Sequence, residues 1–248
     1  MINNGNPGPV IRRNKTGIID SLLSLLYPER CLICRTVLPG RLIVPLCSTC
    51  ADTYTYAGYV CPICEQYGFE LPSCKCLPGW YPIESLYCLS FYETGWRDML
   101  HNLKYRQRRS LARPLGLWLG SEIAGATRMF FDLVVPVPLH RSRECERGYN
   151  QSELVGRSAA RALGVPCVNL LKRVINTCSQ TTISRRERRE NIRGAFKVNG
   201  EFAPGTRILL VDDIFSTGST MNEAASVLKN EGALVHAAAI AYNRRSRD

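Results

Sequence analysis

The chain is predicted to be an α/β protein built on a parallel sheet, with a small cysteine-rich module ahead of it. Three observations carry that expectation. From about Ser85 onward, short apolar runs alternate with helical stretches, as they do where strands are buried on both faces of a parallel sheet. Of twelve cysteines, eight fall between Cys31 and Cys76, in closely spaced pairs. Finally, an apolar run ends in two adjacent carboxylates and passes through small residues into a helical stretch, Ile208–Thr220.

Residues 1–16 hold Asn, Gly, Pro and basic residues without periodicity, and a flexible tail is expected there. Ile18–Tyr27 is apolar over about ten residues and contains Asp20, Ser21 and Ser24. A membrane span needs roughly 20 apolar residues, so this run reads as a short amphipathic helix. Arg12, Arg13 and Lys15 precede it, but Pro28, Glu29 and Arg30 follow where a leader would carry small residues for cleavage. The cytoplasm is therefore the default location. The expected organisation is a tail (1–16), a helix with the cysteine module (17–80) and an α/β domain (81–248).

A chain of 248 residues has room for one α/β domain and one small module. A hydrophobic fraction of 45% excludes global disorder. The formal net charge is +11 and unevenly spread: residues 1–80 carry 7 Lys/Arg against 5 Asp/Glu, residues 81–248 carry 25 against 16. The partners of the second part are expected to be anionic, either phosphorylated small molecules or nucleic acid.

Cys31 and Cys34, Cys47 and Cys50, and Cys61 and Cys64 are spaced C-x2-C, and Cys74 and Cys76 form a C-x-C. Each such turn aims two thiolates at one ion, and two turns complete a tetrahedral site, so eight ligands suit two structural zinc ions. Four thiolates leave no open coordination position for catalysis. A disulfide-stapled module would need an oxidising compartment, for which nothing else argues; an iron–sulfur cluster is the third reading. The pairs are either used sequentially or interleaved. Sequential use (31, 34, 47, 50 and 61, 64, 74, 76) is the simpler. Cys88, Cys145, Cys167 and Cys178 are isolated and read as ordinary small residues.

In the α/β part, Leu86–Tyr92 reads as a strand, Thr94–Tyr105 and Arg109–Ala126 as helices, and Asp132–Val137 as a buried strand. Asn150 opens a helix with Glu153 three residues on, a capping-box pattern, and Gly164 stops it. Ile208–Val211 is a further buried strand, Ser219–Asn230 a helix stopped before Gly232, and Leu234–Ala241 the last strand. In such sheets ligands sit beyond the carboxyl ends of the strands.

Ile208–Thr220 lies at one of those ends. Ser216, Thr217, Gly218, Ser219 and Thr220 make a tight loop whose N–H groups and hydroxyls suit a phosphate at a helix N-terminus. Asp212 and Asp213 would repel a phosphate. They suit ribose hydroxyls, or a Mg2+ that accompanies a diphosphate. Arg141, Arg143 and Arg147 are expected in a loop after the Asp132–Val137 strand. His140 is given no catalytic role. Lys172–Gly194 carries Lys172, Arg173, Arg185, Arg186, Arg188, Arg189 and Arg193 against Glu187 and Glu190. It reads either as a mobile basic loop or as a solvated helix with Glu–Arg pairs, and the two are compatible. Lys104, Arg106, Arg108, Arg109 and Arg113 form another basic cluster near Trp96 and Tyr105, a pairing of cations with aromatics that would suit single-stranded DNA.

The Ile208–Thr220 segment resembles the phosphoribosyl-pyrophosphate (PRPP) signature of type I phosphoribosyltransferases. Together with Pro136-Val-Pro-Leu-His-Arg141, Arg147-Gly-Tyr-Asn-Gln-Ser152 and Tyr27-Pro-Glu-Arg-Cys-Leu-Ile-Cys34, the chain resembles the ComF family of competence-associated proteins over about Ser21 to Tyr242. The resemblance implies a phosphoribosyltransferase-like domain after a double zinc ribbon. It implies that Asp212 and Asp213 hold the PRPP ribose at the reacting centre, with Mg2+ present, and that Ser216–Thr220 hold the 5-phosphate. Pyrophosphate would be received by Arg141, Arg143 and Arg147, and Arg185, Arg186 and Arg189 would lie on a closing loop. A role in natural DNA uptake follows, with competence-machinery proteins as partners. Two function classes stay open: an enzyme transferring phosphoribosyl to an amine, a base or another acceptor, and a non-catalytic PRPP-sensing or DNA-binding module. Glutamine amidotransfer is disfavoured, because it uses an N-terminal cysteine and this chain begins Met1-Ile2.

Overall fold

The computed structural model describes residues 28–40, 42, 45–54, 58–68, 74, 76, 82–105, 108–126, 129–176 and 191–244. The expected tail and the Ile18–Tyr27 helix lie outside them. The described elements are α1 (Ser48–Tyr54), β1 (Gly58–Val60), β2 (Tyr67–Gly68), β3 (Leu86–Phe91), α2 (Thr94–Tyr105), α3 (Ala112–Ala126), β4 (Leu133–Pro136), α4 (Arg141–Arg147), α5 (Gln151–Leu163), β5 (Leu171–Arg173), β6 (Phe196–Val198), β7 (Arg207–Phe215), α6 (Ser219–Asn230) and β8 (Leu234–Tyr242). A single 3-10 turn, Arg109–Leu111, leads into α3.

A six-stranded sheet in the order β2-β1-β3-β8-β7-β4 forms the centre. Its β3-β8-β7-β4 part is parallel, and β1 and β2 continue it antiparallel at the β3 edge. The parallel part follows from strands apolar on both faces. Leu209 and Val211 of β7 pack into a cluster with Trp96, Leu100, Leu103, Leu115, Leu119 and Val155 from α2, α3 and α5. Ile208 and Leu210, alternating with them, pack with Met221, Ala224, Ala225 and Leu228 of α6. The result is a helix–sheet–helix sandwich. Leu210 is fully buried, and truncating such a side chain to Ala costs about 2–5 kcal/mol.

Helices α3 and α5 pack almost backbone to backbone. A Cβ on Gly116 would sit 2.3 Å from the Val155 carbonyl oxygen, and one on Gly120 would sit 2.5 Å from that of Ala159. Only glycine permits this approach. Helix α2 buries Trp96, Met99, Leu100 and Leu103, spaced to form one helical stripe. The cysteine module rests on this frame: a Cβ on Gly95 would meet Ile33 at 2.5 Å, and Cys31, Leu38 and Leu46 join the same cluster as Trp96.

Four local expectations are corrected. Strand β7 does not stop at Val211 but runs to Phe215, because β8 continues beside it and supplies pairs through Ile214↔Ala241 and Phe215↔Tyr242. Arg141, Arg143 and Arg147 lie on a helix, not in a loop: the His140 side chain caps α4 by accepting from the Ser142 N–H, and Gly148 ends it at φ 76°. Asn150 caps α5 through the Ser152 N–H, while Glu153 turns to Arg157 and Asn169 in place of the reciprocal capping-box bond. Lys172 and Arg173 belong to β5, paired antiparallel with β6; the rest of that basic stretch from 177 to 190, with Arg185, Arg186 and Arg189, lies outside the described residues.

Candidate functional site

Asp212 and Asp213 sit near the carboxyl end of β7, and Asp213 is only 3% exposed. Asp212 Oδ1 accepts a hydrogen bond from Ser152 Oγ at 2.7 Å and one from the Asp213 N–H at 2.9 Å. Asp213 Oδ2 forms an ion pair with Lys104 Nζ at 3.0 Å. Two adjacent carboxylates, one buried and one half-buried, are held only against desolvation and mutual repulsion. Burial pushes the Asp212 carboxyl well above its ordinary range, and the charge of Asp213 adds to it. For Lys104, burial opposes the charge, but the two aspartates outweigh it and raise the ammonium above its ordinary value.

Beyond Phe215 the chain turns through Ser216 and Thr217 to Gly218, left-handed at φ 75°, and enters α6. Gly218 occupies the N-cap position and offers no capping side chain of its own, and Thr217 Oγ1 accepts from the Ser219 N–H at 3.4 Å. Thr217 Oγ1 and Ser219 Oγ lie 2.9 Å apart, placing two hydroxyls at the start of a helix whose dipole favours an anion. The loop therefore matches its sequence expectation in position and backbone form.

The expected arginines divide. Arg147 donates to Gln151 Oε1 and lies over the Tyr105 ring at 5.2 Å. Arg141 is exposed. Arg143 is half-buried and electrostatically coupled to Arg173. Arg173 is lowered in pKa first by burial and then by Arg143, with Asp212 acting in the opposite direction. Two arginines close enough to feel one another, with Asp212 in range, concentrate positive charge of the kind that draws in an anion.

Three contributors escaped the sequence reading of this site. Lys104 read as part of a surface basic cluster, yet it follows Leu100 by four residues and so continues the buried stripe of α2. Ser152 falls within the Arg147–Ser152 string, but its partner is sixty residues away in sequence. Arg173 read as part of a basic stretch, either a mobile loop or a solvated helix. Trp96, expected near the basic cluster, is fully buried, with its ring 5.7 Å from that of Trp118. It is not available for stacking on a base.

The cysteines gather in two groups: Cys31, Cys34, Cys47 and Cys50, and Cys61, Cys64, Cys74 and Cys76, the sulfurs of each group all within 4.8 Å of one another. Either group could hold a metal ion, and the arrangement is the sequential one. In a tetrahedral tetrathiolate zinc site, sulfurs are about 3.8 Å apart, so both groups fit. The two knuckles share a backbone form: Arg35 (φ 65°) and Glu65 (φ 58°) each follow the second cysteine in the left-handed region, and the N–H groups of Cys31 and Cys61 bond to the carbonyls of Thr36 and Gln66. Thr36, 3.2 Å from Cys34 Sγ, holds that thiol down to about 6, where the thiolate ligand form is favoured. No helix among the described residues is long and apolar enough to cross a membrane.

Comparison with known proteins places these features in context. The model of the phosphoribosyl transferase domain matches residues 150–248. Competence protein F of Haemophilus influenzae is 30% identical over 218 residues, covering 82% of this chain and 92% of that protein. The DNA utilization protein YhgH of Salmonella typhimurium is 32% identical over 216 residues, covering 84% and 94%. Competence protein ComFC of Bacillus subtilis is 24% identical over 182 residues, covering 71% and 73%. Among solved structures, glutamine PRPP amidotransferase from B. subtilis is similar over 56% of this chain and 30% of its own, at 21% identity and a TM-score of 0.39.

Proposed function

The chain belongs to the ComF family and carries a phosphoribosyltransferase-type domain, and from that premise we propose that the end of β7 binds a phosphoribosyl compound, PRPP above all, in the service of natural DNA uptake. One observation carries the reading: Asp213, buried, and Asp212, half-buried, stand at the end of β7 shortly before a helix start whose N-cap is the left-handed Gly218, flanked by the Thr217 and Ser219 hydroxyls. Asp212 and Asp213 accept hydrogen bonds from the ribose hydroxyls at the reacting centre. Ser216, Thr217, Gly218, Ser219 and Thr220 hold the 5-phosphate. Arg141, Arg143 and Arg147, joined by Arg173, receive the diphosphate, and Arg185, Arg186 and Arg189 are candidates to close over it. Mg2+, when bound with the ligand, would supply the hard counter-ion of the diphosphate. If pyrophosphate leaves, the protein's part is positioning and electrostatic stabilisation, and no nucleophile of its own is needed. The two cysteine groups hold structural zinc.

Thr217→Val tests the pocket. It deletes a hydroxyl from the phosphate loop and should weaken PRPP binding about tenfold, the scale of one hydrogen bond to a charged group. Unchanged affinity contradicts the placement of the 5-phosphate. Pyrophosphate release from PRPP, Mg2+ and candidate acceptors separates an enzyme from a sensor.

A second reading has its own observation. An open groove of about 620 Å3 along the outer side of the α3–α5 seam is lined by Arg109, Arg113, Arg157 and Arg161. Arg109 is engaged with the Gly148 carbonyl and Arg157 with Glu153, while Arg113 and Arg161 are exposed. This groove suits the phosphates of single-stranded DNA. Such binding should fall steeply with salt, and Arg113→Glu/Arg161→Glu should abolish it; equal binding by the variant sends the DNA elsewhere.

A further inference from the structure

We propose that Lys104 makes the site select a ribose phosphate that bears a diphosphate over one that does not. The proposal rests on the phosphoribosyl reading above and adds a residue and a specificity to it.

Lys104 stands in the last turn of α2, and its backbone is firmly held. The Trp96 ring packs against Trp118 at the start of the helix. Leu100 and Leu103 are fully buried. The Tyr149 hydroxyl donates to the carbonyl of Leu103, the residue just before Lys104. From this fixed base the side chain, 21% exposed, reaches Asp213 Oδ2 at 3.0 Å. Lys104 thus neutralises one of the two carboxylates that the ribose hydroxyls need.

A hydroxyl arriving at Asp213 competes with the ammonium for the same oxygens. The ammonium has three donors and four flexible carbons behind it, so it can share or leave. It cannot be left in a partly buried position without an anion. A diphosphate on the ribose supplies one. Ribose 5-phosphate does not, because its single phosphate is taken by the Ser216–Thr220 loop. Release of Asp213 by Lys104 is therefore favourable only when the entering ligand brings its own replacement charge. The neighbouring cations Arg143 and Arg173 share the attraction for a diphosphate but make no ion pair with Asp213. Among the described residues, Lys104 is the cation paired with Asp213, and so it couples ribose contact to diphosphate contact.

Calorimetric titration of the full chain with PRPP and with ribose 5-phosphate, each with Mg2+, tests this in the wild type, Lys104→Gln and Lys104→Arg. Wild type is expected to prefer PRPP. Lys104→Gln should lose about tenfold or more in PRPP affinity while ribose 5-phosphate holds or tightens, and Lys104→Arg should keep the preference. Equal losses for both ligands would mean that Lys104 only supports Asp213, and an unchanged ratio would mean that it plays no part; either overturns the proposal and leaves the phosphoribosyl reading standing. Failure of the wild type to bind either ligand overturns that reading itself, and the proposal with it. Should Lys104→Gln not fold, Lys104→Gln/Asp213→Asn removes both charges together. Compared with Asp213→Asn alone, its further loss must fall on PRPP only.

Discussion

Burial pushes the Asp212 carboxyl up to about 7, with Asp213 beside it adding to the effect and Ser152 and Lys104 working against it. A carboxyl raised in the folded state contributes stability that is fully present below its unfolded value, near 3.8, and is lost as pH rises through about 7. Asp212→Asn removes that loss. Its unfolding free energy should match the wild type near pH 4 and exceed it at pH 8 by on the order of 1 kcal/mol or more; a variant no more stable at pH 8 contradicts the assignment. The same carboxyl must be ionised to accept ribose hydroxyls. PRPP affinity should therefore rise roughly fivefold or more between pH 6 and 8, with proton release at pH 6 detectable by titration in buffers of different ionisation heat. Asp212, Asp213 and the loop were legible in the sequence because they are contiguous. Ser152 and Lys104 were not, because folding alone brings them to Asp212 and Asp213 from distant elements.

At the scale of elements, the packing of α3 on α5 through Gly116 and Gly120 fixes the position of Ser152 against β7. Gly116→Ala forces a methyl to within 2.3 Å of the Val155 carbonyl. It should destabilise the protein by about 1–3 kcal/mol, readable as a lowered denaturant midpoint at unchanged slope. A neutral effect would mean that the helices can separate without cost. Helices α2, α5 and α6 were legible at nearly their observed bounds, since each shows a periodic apolar face and α5 and α6 also carry a cap or glycine stop. Helix α4 was not, because it buries no residue and so leaves no periodic signal; only its His140 and Gly148 caps betray it. The end of β7 was misjudged for a related reason. Asp212 and Asp213 are poor strand formers by propensity, and the partner strand β8 decides the matter.

At the scale of the molecule, the cysteine module and the α/β part share one sheet. Strand β1 pairs with β3, Glu65 meets the Tyr242 hydroxyl at 3.3 Å, and the Tyr242 ring stacks on Phe215 just before the phosphate loop. The cysteine pairs and the alternating strands were readable from spacing and pattern. That the sheet crosses from one part to the other was not, because β1 and β2 are too short, at 3 and 2 residues, to announce themselves. Purified reduced protein should hold about two zinc ions per chain. Cys61→Ser should hold about one and melt at a lower temperature, because the edge of the central sheet loosens with its metal; a zinc-free wild type would contradict the metal assignment. The central claim, a phosphoribosyl site at the end of β7, is tested most directly by calorimetric titration of PRPP with Mg2+ into the wild type and Asp212→Asn. Saturable binding by the wild type, weakened about tenfold or more in the variant at pH 8, is the predicted result. Equal binding by both, or none by either at millimolar PRPP, would contradict it.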